Sequence, residues 1–209
     1  ELAHLCITYS YHAAFHRFHR CRTHCEYVFY QFCGVRPDVV GAGRTDAGVH
    51  AVAMTAHFDL PGDTSANTVM RAVNFYLTGK PVSVIDCQIV SDDFNARFDC
   101  TSRHYKYVVL NRPSAPVLAR NRVYWVPRKL DVSAMRRASL RLIGNHDFTS
   151  FRASECQAKS PIKTLDKIEI TQQGDEIIFS FSARSFLHHM VRNIVGTLIE
   201  IGLGKPYDI

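Results

Sequence analysis

At 209 residues, with 46% hydrophobic and 21% charged side chains, the chain has the composition of a soluble globular protein and length for one large or two small domains. Lys and Arg exceed Asp and Glu by 25 − 19 = 6, and the sequence pI is near 9.0, which favours an acidic partner such as nucleic acid or a membrane surface. A membrane span is not expected, because the best apolar run, Met190 to Leu203, is broken by Arg192, Asn193 and Glu200; seven irregularly spaced cysteines and the lack of a secretory pattern point to a reducing cytoplasm.

Leu2 to Tyr9 is apolar and partly β-branched, which predicts a buried strand. From Ser10 to Phe32 aromatic, His, Arg and Cys residues crowd together with neither a helical nor an alternating period. His12, His16, His19 and Cys21, and the Cys21/Cys25 pair beside His24, are zinc-type ligands, but their spacing fits no finger or ribbon and no metal site is expected. Residues 41 to 50, Gly-Ala-Gly-Arg-Thr-Asp-Ala-Gly-Val-His, form a glycine-rich loop ahead of a strand predicted at Ala51 to Leu60. Asp46 is the only carboxylate of that loop and Arg44 a cation two residues before it. Taken alone, Thr-Asp-Ala-Gly reads as a turn whose Asp caps its own backbone, although loops at strand entrances are also where reactive groups sit. The glycine spacings of phosphate-binding loops are absent. Thr64 or Ser65 caps a helix carrying Val69, Val73, Phe75, Tyr76 and Leu77, ended by Gly79-Lys80-Pro81. Strands follow at Val82 to Val90 and Arg103 to Asn111, the latter with Arg103, Tyr105, Tyr107 and Val109 on one face. Asn111 to Pro116, with two prolines, is the expected hinge between halves 1–110 and 111–209.

The second half opens with a strand at Arg122 to Val126, which holds the only Trp, Trp125. Asp131 or Ser133 caps a helix to about Ile143, closed by Gly144, and Phe148 to Pro161 reads as a loop. Thr164 to Thr171 and Glu176 to Ala183 alternate around Gln172-Gln173-Gly174-Asp175, which predicts a hairpin. A last helix runs from Ser185 to about Ile201, with Leu187, Met190, Val191, Ile194, Val195 and Leu198 on its core stripe and Ser185, His188, His189, Arg192 and Gly196 on the other side. The fold class is α/β of the α+β type, with a mixed, largely antiparallel sheet flanked by helices.

Gly41 to Ala51, Arg103 to Tyr107 (Arg-His-Tyr-Lys-Tyr), His146 to Arg152 (His-Asp-Phe-Thr-Ser-Phe-Arg) and Phe186 to Gly196 (Phe-Leu-His-His-Met-Val-Arg-Asn-Ile-Val-Gly) together resemble the TruA family of tRNA pseudouridine synthases, in the family's order over roughly residues 34 to 205. The resemblance implies a pseudouridine synthase fold with two similar halves around a central cleft. It implies isomerisation of uridine around positions 38 to 40 of the tRNA anticodon arm, by a cytoplasmic homodimer that needs neither cofactor nor metal. By the same resemblance Asp46 is catalytic, Arg192 pairs with it, and the Tyr105 ring packs against the target uracil. Arg44 helps to hold the target nucleotide out of its stack, and Arg152 and His188 contact the RNA. Tyr107 is left as a core or cross-strand aromatic. Residues 10 to 32 depart from the family, which has a Tyr-Asp-Gly turn and a Gln-containing segment where this chain has Tyr9-Ser10-Tyr11. So abrupt a departure reads as a local reading-frame shift or sequence error, and the missing last segment of the family reads as a truncated C-terminal half. The alternative is an RNA-binding protein on the same fold with weak or no turnover, against which stands the retention of Asp46, Tyr105 and Arg192.

Overall fold

The structure, a computed structural model, describes residues 2–11, 27–43, 45, 46 and 48–206, and the chain folds as two compact units, Glu1–Cys100 and Thr101–Ile209. The His/Cys cluster at 12–25, Arg44, and most of the aberrant 10–32 stretch lie outside the described residues.

In the first unit the strands are β1 (Leu2–Tyr11), β2 (Val40–Gly41), β3 (Ala51–Pro61) and β4 (Val82–Ile89), ordered β2-β3-β1-β4 with every neighbouring pair antiparallel. The period-two pattern puts Leu5, Ile7 and Tyr9 of β1 with Ala56, Phe58 and Leu60 of β3 and Val82 and Val84 of β4 in one core. Two helices close it, α1 (27–33) through Val28 and Phe29 and α2 (Ala66–Tyr76) through Val69 and Val73. Ser65 caps α2, its hydroxyl accepting the Thr68 N–H at 3.3 Å. β1 runs two residues beyond its sequence signal because Tyr11 still pairs with Ala51 on one side and Val82 on the other, past irregularities in both ladders.

Two buried histidines, invisible in the sequence pattern, hold the segment after β4 to the sheet. His4 of β1 bonds through Nδ1 to the Asp59 carboxylate of β3, and its Nε2 donates to the Phe94 carbonyl at 2.9 Å. Both ring nitrogens therefore face acceptors, and the Asp59 bond raises the His4 pKa against the opposing effect of burial. His57 of β3, its ring 5.2 Å from that of His4, accepts the Ala96 N–H at Nδ1 (3.1 Å); burial, then the neighbouring His4 charge, lowers its pKa. One imidazole is suited to carry charge and the other to stay neutral.

The second unit contains β5 (Arg103–Asn111), β6 (Tyr124–Val126), α3 (Val132–Ser139), β7 (Gly144–Asp147), β8 (Ile162–Leu165), β9 (Lys167–Gln173), β10 (Glu176–Ala183) and α4 (Met190–Gly202). The main sheet is ordered β6-β5-β10-β9, antiparallel except for β6 beside β5. Val109, Ile168, Ile170, Ile177, Phe179 and Phe181 meet Val132 and Met135 of α3 and Ile194, Val195 and Leu198 of α4 in a second core. Among the described residues no helix is long and apolar enough to cross a membrane.

Several expected bounds move. α3 stops at Ser139 and tightens into a 3-10 turn at Leu140–Leu142, and Gly144, at φ 111, opens β7, which pairs with β8. The strand expected from Thr164 to Thr171 is two, parted at Asp166, whose N–H bonds the Ser182 carbonyl at 2.9 Å. The units divide at Cys100/Thr101, where the sequence places the change at 110/111; Asn111 to Pro116 lies within the second unit, and the Asn111 side chain bonds the carbonyls of Val126 (2.9 Å) and Arg128 (2.7 Å) and the N–H of Leu130 (3.1 Å). The last helix starts at Met190, five residues later than its amphipathic stripe suggests, so His188 and His189 precede it.

The histidine pair gives stability a two-sided pH dependence. His57, depressed when folded, contributes stability that is present above the ordinary histidine pKa of about 6.5 and is lost as pH falls through its lower folded value. His4, raised when folded, contributes stability that is present below about 6.5 and is lost as pH rises through its folded value. The His57→Gln variant, which keeps an acceptor for Ala96, should flatten the acid limb of a urea-derived stability profile and leave the alkaline limb; an unchanged acid limb would contradict this.

Candidate active site

Asp46 lies in the loop between β2 and β3, half-buried and anchored on both sides. Ala42 extends the β2–β3 ladder by donating to the Thr55 carbonyl at 2.9 Å, and Thr45 bonds through its hydroxyl to Tyr11 at the end of β1. After Asp46 the chain turns sharply: the Val49 N–H donates to the Asp46 carbonyl at 3.2 Å, and Gly48, third in that turn, has φ 84. Side chains of L residues rarely adopt that φ, which explains a glycine there even though open space surrounds it. The turn delivers the chain into β3 two residues later, so Asp46 is presented at a strand entrance, as the sequence suggests.

Of the other expected site residues, Arg44 lies outside the described residues, and Tyr105, Arg152, His188 and Arg192 belong to the second unit. Tyr105 stands on β5 opposite Phe181 of β10, half-buried, with its ring edge-on to Phe186 at 5.0 Å and 85°. Tyr107, read from the sequence as a core or cross-strand aromatic, stands opposite Phe179 of β10 and is half-buried; burial pushes its phenol up and the Arg192 charge pulls it back, which places the guanidinium within electrostatic reach of that ring. Arg192 is exposed in the first turn of α4.

The start of α4 is unusual. His189 occupies its N-cap position at φ 62 with no side-chain cap bond, and the first turn holds no acidic residue. Left-handed backbone costs a non-glycine residue about 1–2 kcal/mol, so neighbouring contacts must hold it. They come from the strap that follows Phe148. Ala153 donates to the His188 carbonyl (3.1 Å), the His188 N–H reaches the Cys156 sulfur (3.4 Å), and the Asn193 side chain donates to the Phe151 carbonyl (3.0 Å). The His188 and His189 rings lie against each other at 3.9 Å.

Arg152 braces that strap, its Nη2 donating to the Cys156 carbonyl at 2.8 Å. Burial pushes the Cys156 thiol up, but the Ala158 and His188 amides and the Arg152 guanidinium outweigh it and hold the pKa below the ordinary value. The structure thus gives Arg152 a positioning task that the sequence did not indicate. Its partners lie four residues along an irregular loop and, through Cys156, at His188, where no local period leads. Taken by itself, neither unit gathers three described His, Cys, Asp or Glu side chains as a metal site would require.

Over 175 residues the chain is 51% identical to a protein of Paramagnetospirillum magneticum named tRNA pseudouridine synthase A, covering 84% of this chain and 68% of that protein. Proteins of the same name from Rhodospirillum rubrum (50% over 180 residues; 86% of this chain, 65% of that one) and Xanthobacter autotrophicus (49% over 178 residues; 85% and 73%) match alike. The chain belongs to the TruA family. A sequence model for the family described as tRNA pseudouridine synthase matches residues 138–207, the segment that contains the strap, the His188–His189 turn and α4. In this TruA-family chain the bonds that hold the start of α4 thus fall within the segment matched by the family model.

Removing the Arg152 guanidinium should release Cys156 toward a burial-dominated pKa. In Arg152→Gln the pH midpoint of Cys156 alkylation, read by peptide mass spectrometry, is expected to move upward, with a stability loss of about 1–2 kcal/mol from the broken brace. An unmoved midpoint would show that the backbone amides alone hold the thiol down.

Proposed function

We propose that this chain isomerises uridine to pseudouridine in tRNA, at positions around 38 to 40 of the anticodon arm, acting as a cytoplasmic homodimer without cofactor. The observation that carries the reading is identity near 50% to tRNA pseudouridine synthase A proteins over more than 80% of this chain, joined to the anchored Asp46 turn. The reaction breaks the N1–C1′ bond of uridine, turns the base, and joins C5 to C1′; the C5 proton leaves to a base and N1 gains a proton. Atoms and electrons balance within one nucleotide, so no redox partner is needed.

In this reading the ionised Asp46 carboxylate serves as nucleophile and as local acid–base group. Arg192 supplies the guanidinium that pairs with it in the loaded enzyme. An arginine in the first turn of a helix opposes the helix dipole, so the start of α4 favours an anion beside it. Tyr105, a half-buried ring already fixed edge-on by Phe186, offers a flat face to a base that must be held and yet rotate. Arg44 holds the target nucleotide unstacked, and His188 and Arg152 meet the RNA backbone; Arg152 uses one Nη in its brace and keeps further donors.

Asp46→Asn preserves size and removes the reactive charge. It should lower the rate of pseudouridine formation by about 10³-fold or more while tRNA affinity stays within about threefold. A variant that modified tRNA at the parental rate would reduce Asp46 to a turn residue. Arg192→Lys keeps the charge but not the bidentate fork, and kcat should fall by about 10–100-fold, the equivalent of one charged hydrogen bond. Near-parental turnover in Arg192→Lys would mean that Arg192 serves only as a surface cation.

A further inference from the structure

Charge is divided unequally between the two units. Residues 101–209 carry 17 of the 25 Lys and Arg but 9 of the 19 Asp and Glu, a net +8, while residues 1–100 carry 8 and 10, a net −2. The imbalance is concentrated: residues 100–146 hold ten Lys or Arg and a single carboxylate, Asp131, which caps α3 by accepting the Ala134 N–H at 2.9 Å. Half of those cations fall in the excursion 112–129 around β6, with Arg112, Arg120, Arg122, Arg128 and Lys129 and no acidic residue.

This excursion is built. Successive turns, closed by Arg120 N–H to Val117 O (3.3 Å) and Arg122 N–H to Ala119 O (2.9 Å), shape its tip around the left-handed Asn121. The Trp125 indole donates to the Arg112 carbonyl at 2.8 Å, and the three bonds of the Asn111 side chain clamp the base. On this ordered frame Arg120, Arg122, Arg128 and Lys129 are exposed, and two aliphatics at the tip, Val117 and Leu118, are 81% and 99% exposed. A preformed frame that holds cations toward water loses little entropy on meeting a polyanion. Its place matters too. It leaves β5 at Asn111, six residues and so about 20 Å along the strand from Tyr105.

We propose that residues 112–129 are a docking surface for the sugar–phosphate backbone of the tRNA, outside the anticodon stem-loop that contains the reacting nucleotide. The cations neutralise phosphates, and the exposed aliphatic tip lies against ribose. This rests on the tRNA-modifying reading above, and it adds that affinity for whole tRNA and chemistry on the target uridine reside on separate surfaces.

The test is the triple variant R120A/R128A/K129A, assayed with full-length tRNA and with an isolated anticodon stem-loop across a salt series. For full-length tRNA, KM should rise about tenfold or more with kcat unchanged, and the dependence of log affinity on log salt should flatten by about 2–3 units, near one for each cation removed. The stem-loop should keep its parental KM. R120K/R128K/K129R, which retains every charge, should keep the parental salt slope. A folded triple variant with parental KM and salt slope on full-length tRNA would overturn the proposal, as would equal weakening on the stem-loop. A shift in sedimentation mass instead of RNA affinity would assign the surface to a second copy of the chain and likewise overturn it. If the parent forms no pseudouridine in any tRNA, the functional reading fails, while equilibrium binding of the parent and triple variant to tRNA and stem-loop still decides the docking surface.

Discussion

The beginning of α4 is the point on which the candidate site in the second unit depends. A helix start carries partial positive charge, and proteins usually answer it with a capping side chain or an acidic first turn. Here neither is present: His189 sits at φ 62 without a side-chain cap bond, and Arg192 adds a further cation. The geometry persists because the strap through Phe151, Ala153 and Cys156 bonds to both sides of the turn. A helix start of that kind, held by its neighbours and with no acidic residue in its first turn, favours an anion beside it.

The two units differ in net charge. The first, net negative, presents Asp46 on a turn that β2, β3 and Tyr11 hold in place, and its sheet and helices form a core of their own. The second, net positive, supplies the half-buried Tyr105, the imidazoles at 188 and 189, and Arg192. Polyanions are held by many cations, and residues 101–209 carry 17 of the 25 Lys and Arg.

Much of this was legible in sequence because its causes are local. Apolar, β-branched composition along β1 and alternation along β5 and β10 mark the strands, Thr64 or Ser65 and Asp131 or Ser133 mark the helix starts, of which Ser65 and Asp131 are the caps, and the loop at 41 to 50 declares its turn through its glycines. What escaped depends on distant partners. The apolar stripe of the last helix continues backward through Leu187, which is buried in the same core, so periodicity could not reveal that the helix itself begins at Met190. The left-handed His189 is set by a strap more than thirty residues earlier in the chain. The roles of His4 and His57 rest on Asp59, Phe94 and Ala96, between 39 and 90 positions away in sequence. The β7–β8 ribbon was hidden because Gly144 served equally well as a helix stop and as a strand opening at φ 111.

Hydrogen reports the proposed isomerisation directly. Joining C5 of uracil to C1′ expels the proton from C5, so tRNA transcribed with 5-tritiated uridine reports the reaction through tritium appearing in water. Tritium release by the purified chain is expected with no added cofactor, rising to a plateau set by the number of target uridines in each tRNA. A chain that is folded and binds tRNA but releases no tritium would contradict the proposed isomerisation.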